Sequence, residues 1–227
     1  MSEPRTKRKP IADVPESDVW ELYKIVGKFR DQIMGGVPAK EDILTQHLAR
    51  KGATRDQIQR QLAQLKETMS CDHRENEENR QIDASTNIFF SDAHGVYIMN
   101  YQIQAALKEA LSIQKSITSW RMKVQNGVRV NPDQIYLLRD GAPVKTWDDF
   151  VENPVHTTYM GSPMTCIRRT AFIRKPMFQA TIRVAKSKEG PIIDEDTLAH
   201  LFRQINETGV GAMRHMGFGA LDIEWLE

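Results

Sequence analysis

Four glycines fall within Gly209-Val210-Gly211-Ala212-Met213-Arg214-His215-Met216-Gly217-Phe218-Gly219, a stretch that follows a helical pattern and runs into a short terminal strand, Ala220 to Trp225. Glycine in a folded segment is entropically disfavoured unless a positive φ or the close approach of another backbone requires it. Two uses fit these residue types. The loop is either a cradle of backbone amides for a sugar-phosphate chain, with Arg214 paired to a phosphate oxygen, or a structural connection in which Gly209 sits just past a helix C-terminus. Free-nucleotide motifs do not fit. A dinucleotide fingerprint needs glycine where Arg214 stands and must open a helix rather than close one. A P-loop needs Gly-Lys-Ser/Thr, which the chain lacks.

The remaining composition describes a soluble globular chain: 227 residues, 40% hydrophobic and 27% charged. We expect residues 1–17, with Arg5, Lys7, Arg8 and Lys9 among prolines, to form a flexible basic arm. Residues 18–227 are expected to form a single domain with a helical insert at 39–69 and an acidic loop at 70–86. No apolar run approaches the ~20 residues needed to cross a bilayer, so no membrane partner is expected. Cys71 and Cys166 do not make a disulfide framework, which points to a reducing, cytoplasmic setting. The net charge of +1 hides an uneven distribution. From Arg168 to Lys188 there are seven basic residues and no acidic one, whereas Ser70 to Thr86 holds five acids against two arginines.

Between Trp20 and Met34, Tyr23, Ile25, Gly27 and Phe29 alternate with Lys24, Val26, Lys28 and Arg30, the period of a half-buried strand. Its second face is basic, which makes Lys28 and Arg30 candidate binding residues, and Gly35-Gly36-Val37-Pro38 ends it. Asn87 to Met99 predicts a hairpin turning at Asp92–Gly95. Asn100 is placed to cap the next helix, whose apolar face is Ile103, Ala106, Leu107, Ala110 and Leu111. Val128 to Leu138 predicts a strand pair or a bent strand around Asn131-Pro132, and Gly141 to Gly161 predicts irregular structure. Thr165–Ile173 and Met177–Ala185 both alternate, with Pro176 at a bend between them. Asp194 caps a last helix with the stripe Leu198, Leu201, Phe202 and Ile205. The order suits an α+β, ferredoxin-like (RRM-like) antiparallel sheet with helices on one face and a helical insertion after the first strand. The other sheet face is then open to a ligand.

Arg168, Arg169 and Arg183 come from the basic run and are further candidates for phosphate contact, although alternation splits them between faces. His215, beside Arg214, and Asp31, just before the Gly35-Gly36 turn, are the conceivable acid–base residues. Cys71 and His73 lack a second ligand pair, so neither a metal nor a cofactor is expected.

Two segments together resemble the RAMP superfamily, the RNA-binding proteins of CRISPR effector complexes. The first is Gly209-x-Gly211-x-x-Arg214-x-x-Gly217-Phe218-Gly219, placed between a helix and the last strand. The second, Gly95 to Lys108, is similar to the strand-to-helix entry of backbone-forming RAMP subunits, matching at Ile98, Ile103, Ala106, Leu107 and Lys108. It departs from that pattern at Met99, Asn100, Tyr101, Gln102, Gln104 and Ala105. The chain also looks like solitary RAMP-like proteins of phage or prophage genomes. The resemblance implies a ferredoxin-like fold and a non-catalytic protein that binds RNA through its backbone. It also implies contacts at Gly209, Gly211, Arg214, His215, Gly217, Gly219 and Lys108, and association with itself or with similar subunits. Two alternatives remain open: a metal-independent endoribonuclease of the same fold with His215 as acid or base, and an assembly protein using the fold for protein contacts.

Overall fold

A computed structural model describes residues 19–50, 58–60, 62–63, 86–114, 118–159 and 162–226. The expected arm at 1–17, part of the helical insert and the acidic stretch up to residue 85 lie outside the described residues. The chain begins with β1 (Trp20–Phe29), β2 (Gln32–Met34), β3 (Val37–Pro38), α1 (Glu41–Arg50), β4 (Asn87–Ile88), β5 (Phe90–Asp92) and β6 (Gly95–Met99). It continues with α2 (Asn100–Gln114), α3 (Thr118–Gly127), β7 (Val128–Asn131), β8 (Gln134–Tyr136), β9 (Leu138–Arg139) and β10 (Ala142–Pro143). Last come β11 (Asp149–Tyr159), β12 (Ser162–Arg174), β13 (Met177–Ser187), β14 (Gly190–Pro191), α4 (Glu195–Thr208) and β15 (Leu221–Trp225). No described helix is long and apolar enough to cross a membrane.

The alternation in β1 makes it the centre of the larger sheet. Ile25, Gly27 and Phe29 are buried while Lys24 and Lys28 are exposed. β1 pairs antiparallel with β13 along nearly all its length and with β15 over its second half. β7 borders the far edge of β13, again antiparallel. The spatial order is therefore β7–β13–β1–β15, and the chain visits these strands as β1, α2, β7, β13, α4, β15. The two intervening helices pack against one another and cover one sheet face. Ile103, Leu107, Leu198, Leu201 and Phe202 meet Ile25, Phe178, Ile182 and Val184 in the core. Burying each such side chain contributes roughly 2 kcal/mol. Asp194 caps α4 as its sequence predicts, accepting from the Thr197 amide at 2.7 Å, and that bond holds its carboxyl below the usual range.

Four local expectations are corrected. The strand expected through Met34 breaks at Arg30–Asp31, because β1 ends against β15 while β2 crosses to the second sheet and pairs with β12. The Arg30 amide donates to Ala220 O, and Asp31 O accepts from the Lys175 amide, so both break residues are held by other segments. Asn87–Ile88 leaves the expected hairpin to pair with β3, and β5 and β6 alone form it. Asn100 opens α2, but its side-chain nitrogen donates outward, to Val130 O at 3.1 Å and Asp133 Oδ1 at 2.7 Å. The stretch expected to be irregular contains β11, eleven residues long and paired residue for residue with β12. Pro154 and the polar residues around it conceal the strand period. The proline is tolerated because β11 lies at a sheet edge, where its missing N–H breaks no ladder.

The second sheet, in order β11–β12–β4–β3, meets the first at a corner held by Asp148. Arg139 grips this carboxylate with two nitrogens, at 3.0 and 2.7 Å, and the Arg174 amide donates to it at 2.7 Å. The Arg139 bonds first, and the Arg174 amide second, hold the Asp148 carboxyl below its ordinary value of 3.8. A depressed folded pKa contributes stability above the unfolded value, and that stability is lost as pH falls through the folded one. Asp148→Asn should therefore lower stability at neutral pH by about 1 kcal/mol, the pair being partly exposed. The difference from wild type should narrow below pH 3.8 and close once the folded carboxyl is protonated. Urea midpoints across an acid pH series measure this; a gap independent of pH would contradict it.

Candidate nucleic-acid interface

The glycine loop is built by contacts within the fold. Gly209 (φ 77°) and Gly219 (φ 80°) lie back to back: a Cβ on Gly219 would stand 2.0 Å from Val210 O, and one on Gly209 would stand 2.8 Å from Gly219 O. The Val210 amide donates to Gly219 O at 2.9 Å, closing the loop at its neck. Gly211, at φ 103°, lets the chain lie against Ile33 and Met34, while Gly217, at φ 85°, faces open space. The amides of Gly209, Val210, Ala212, Met216, Gly217 and Gly219 all donate to backbone carbonyls, those of Ala212 and Gly219 to Met34 O and Gln32 O. Most of the loop's donors are thus spent on docking it to β2 and on its own 3₁₀ turn, Arg214–Met216. Arg214 pairs with Glu109 of α2 at 2.6 Å. His215 is exposed at the loop tip, and Lys108 precedes Glu109 on α2. Asp31 is exposed at the bend after β1.

The sheet face opposite the helices carries a different chemistry. Antiparallel partners share a face, so the register sets it out in rows. Arg129 lies opposite Arg183, which lies opposite Leu22; Asn131, Thr181 and Lys24 form the next row; Gln179, Val26 and Glu224 follow, and then Met177, Lys28 and Asp222. β7, β13 and β1 place no acidic residue on this face, and Asp222 and Glu224 confine its negative charge to β15. Lys28 pairs with Glu224 at 2.6 Å, and Arg30 pairs with both Asp222 and Glu207. Those bonds, led by Asp222, raise the Arg30 pKa further. Among the described residues neither Lys24 nor Arg129 has an acidic partner; Arg129 donates to the carbonyls of Gln125 and Val128. The Arg183 guanidinium lies over the Trp20 ring, 4.9 Å from its centroid. With the Asn131 amide oriented to satisfy its neighbours, its oxygen accepts from Arg183 Nη1 at 3.2 Å.

The expected contact residues thus fall in three places. The glycine loop with Arg214 and His215 docks on β2, past the C-terminal end of β1, with Arg30 at the junction, and Lys108 lies on α2 next to the Glu109 that pairs with Arg214. Lys28 and Arg183 share the open face. Arg168 and Arg169 lie on β12, in the long hairpin with β11, where Arg169 covers the Phe150 ring at 4.0 Å and approaches Glu152. Arg183, opposite Leu22, and the loop, which joins the chain at Arg30, are roughly 25 Å apart along β1 at about 3.3 Å per strand residue.

Trp20 and Arg129 were missed from sequence. Trp20 shares parity with Lys24 and Lys28, which was signal enough to place it on the basic face. Arg129 gave no such signal, because its row depends on pairing with β13. Among the described residues no group of three or more potential metal ligands is found. No protein-family model matches the chain, and no curated protein matches it.

Proposed function

We propose that this chain binds RNA without cutting it, taking the sugar-phosphate backbone on the helix-free face of the β7–β13–β1–β15 sheet. On this reading the antiparallel strand order and the paired helices belong to a ferredoxin-like architecture of the RAMP-like kind. The observation that carries it is the concentration of Lys24, Lys28, Arg129 and Arg183 on three strands that offer no acid on that face. Asn131, Thr181 and Gln179 stand among them as neutral hydrogen-bonding groups. Phosphate contacts of this kind position a nucleic acid and supply most of its affinity. Arg214 contributes only by exchanging Glu109 for a phosphate, so Arg214→Ala should weaken binding less than Arg129→Ala. The cleavage alternative has less support, since among the described residues His215 has no hydrogen bond to a second titratable group.

Titrating a short labelled single-stranded RNA against the protein over a salt series tests the reading. Contacts by Lys24, Arg129 and Arg183 predict a slope of roughly −2 in log affinity against log salt, at about −0.7 per contact, Lys28 being held by Glu224. An absence of affinity, or affinity insensitive to salt, would overturn it.

A further inference from the structure

The long β11–β12 hairpin carries a face that is complementary to itself. Residues directly opposite on paired strands share a face, so the register sets it out in rows: Glu152 opposite Arg169, then Pro154 opposite Ile167, then His156 opposite Thr165. Glu152, Pro154, His156, Thr165 and Ile167 are all exposed. Ile167 is 52% exposed, and among the described residues no large apolar side chain is more so. Glu152 Oε1 stands 4.0 Å from Arg169 Nε, too far for a hydrogen bond, and that nitrogen has no other hydrogen-bond partner. The Arg169 guanidinium is held instead over the Phe150 ring, 4.0 Å from its centroid. A partly exposed pair at that separation contributes little within one copy, so the row presents a cation and an anion side by side.

We infer that this face joins two copies of the chain about a two-fold axis running along the hairpin. Such an axis lays β11 of one copy over β12 of the other and keeps each row in place. Glu152 then meets the partner's Arg169, Pro154 meets the partner's Ile167, and His156 meets the partner's Thr165. Each contact is made twice, as a two-fold interface requires, because one patch serves both sides. Charge selects this arrangement. Turning the second copy end for end about the Glu152–Arg169 row would set each charge against its like, which disfavours that pairing strongly. The face is about 20 Å long from Phe150 to His156, at about 3.3 Å per residue, and only two strands wide. That is well below the roughly 800 Å² per partner of a stable interface, so the association is weak and rises with concentration. It involves a different sheet from the proposed RNA face and does not depend on RNA.

Sedimentation of the nuclease-treated protein over a rising concentration series tests this, on wild type, Glu152→Arg, Arg169→Glu and Ile167→Asp. Wild type should pass from monomer to dimer, and each substitution should weaken that association by at least about 10-fold. An equal mixture of Glu152→Arg and Arg169→Glu should regain the dimer, because one copy then offers two cations and the other two anions. Recovery in the mixture also shows that both variants are folded. A wild type that stays monomeric throughout overturns the inference. So do single variants that associate as tightly as wild type, or a mixture no tighter than either variant alone. Loss of RNA binding with the dimer intact would sink the RNA reading and leave this one standing.

Discussion

Gly219→Ala should destabilise the protein by about 4 kcal/mol or more, among the largest effects expected of a single methyl group. The new Cβ would stand 2.0 Å from Val210 O and 3.0 Å from Val210 C, and the obstruction is backbone, which cannot rotate away. Relief requires opening the neck, with loss of the bond from the Val210 amide to Gly219 O and of the bond from the Gly219 amide to Gln32 O. The positive φ adds its own cost, about 1–2 kcal/mol for a residue with a Cβ. Gly217→Ala is the matched control: its φ is 85°, but nothing lies within 4 Å of its Cβ, so only the backbone term applies. Urea unfolding of the two variants measures the difference. A gap between them of less than about 1 kcal/mol would mean that the neck relaxes and that the glycines are not there for close approach. Against a total stability of roughly 5–15 kcal/mol, a loss of 4 is enough to deplete the folded protein.

The double substitution Arg129→Ala with Arg183→Ala should reduce RNA affinity by about 100-fold while leaving the fold nearly untouched. Each charge-assisted phosphate contact is worth about 1.5 kcal/mol or more, close to a factor of ten. The salt slope should fall by about 1.4, two contacts at about 0.7 each. Stability should fall only modestly, because relief of one repulsion offsets part of what the lost contacts contribute, the Arg129 bonds to the Gln125 and Val128 carbonyls among them. Like charges directly opposite on paired strands repel, and that repulsion is relieved. The contact between Arg183 and the Trp20 ring is lost, at a cost of about 0.5–1 kcal/mol. Thermal melting alongside the binding titration separates the outcomes. Unchanged affinity in a folded double variant would remove this end of the sheet from the interface.

Short periods in the sequence survive into the fold wherever neighbouring residues set them. The stripe Leu198, Leu201, Phe202 and Ile205, capped by Asp194, is a helix because a 3.6-residue period and a local side-chain bond specify it within one segment. The alternation of β1 and β13 likewise assigns their faces before any partner is known. β11 was illegible for the converse reason: Asn153, Pro154 and His156 carry no clean period, and the strand exists because β12 offers it a ladder.

Charge was the least legible property. Lys28, Arg30 and Arg214 read alike as cations, but the fold gives each an acid from a remote segment: Glu224, Asp222 with Glu207, and Glu109. By itself the sequence determined the periodic elements, the basic second face of β1, and the need for glycine between α4 and β15. Only the tertiary structure decided what the glycines serve, closing a neck in which backbones nearly touch. It also decided which cations meet on one surface, because strand register and ion pairing join residues far apart in the chain, where no local pattern carries the information.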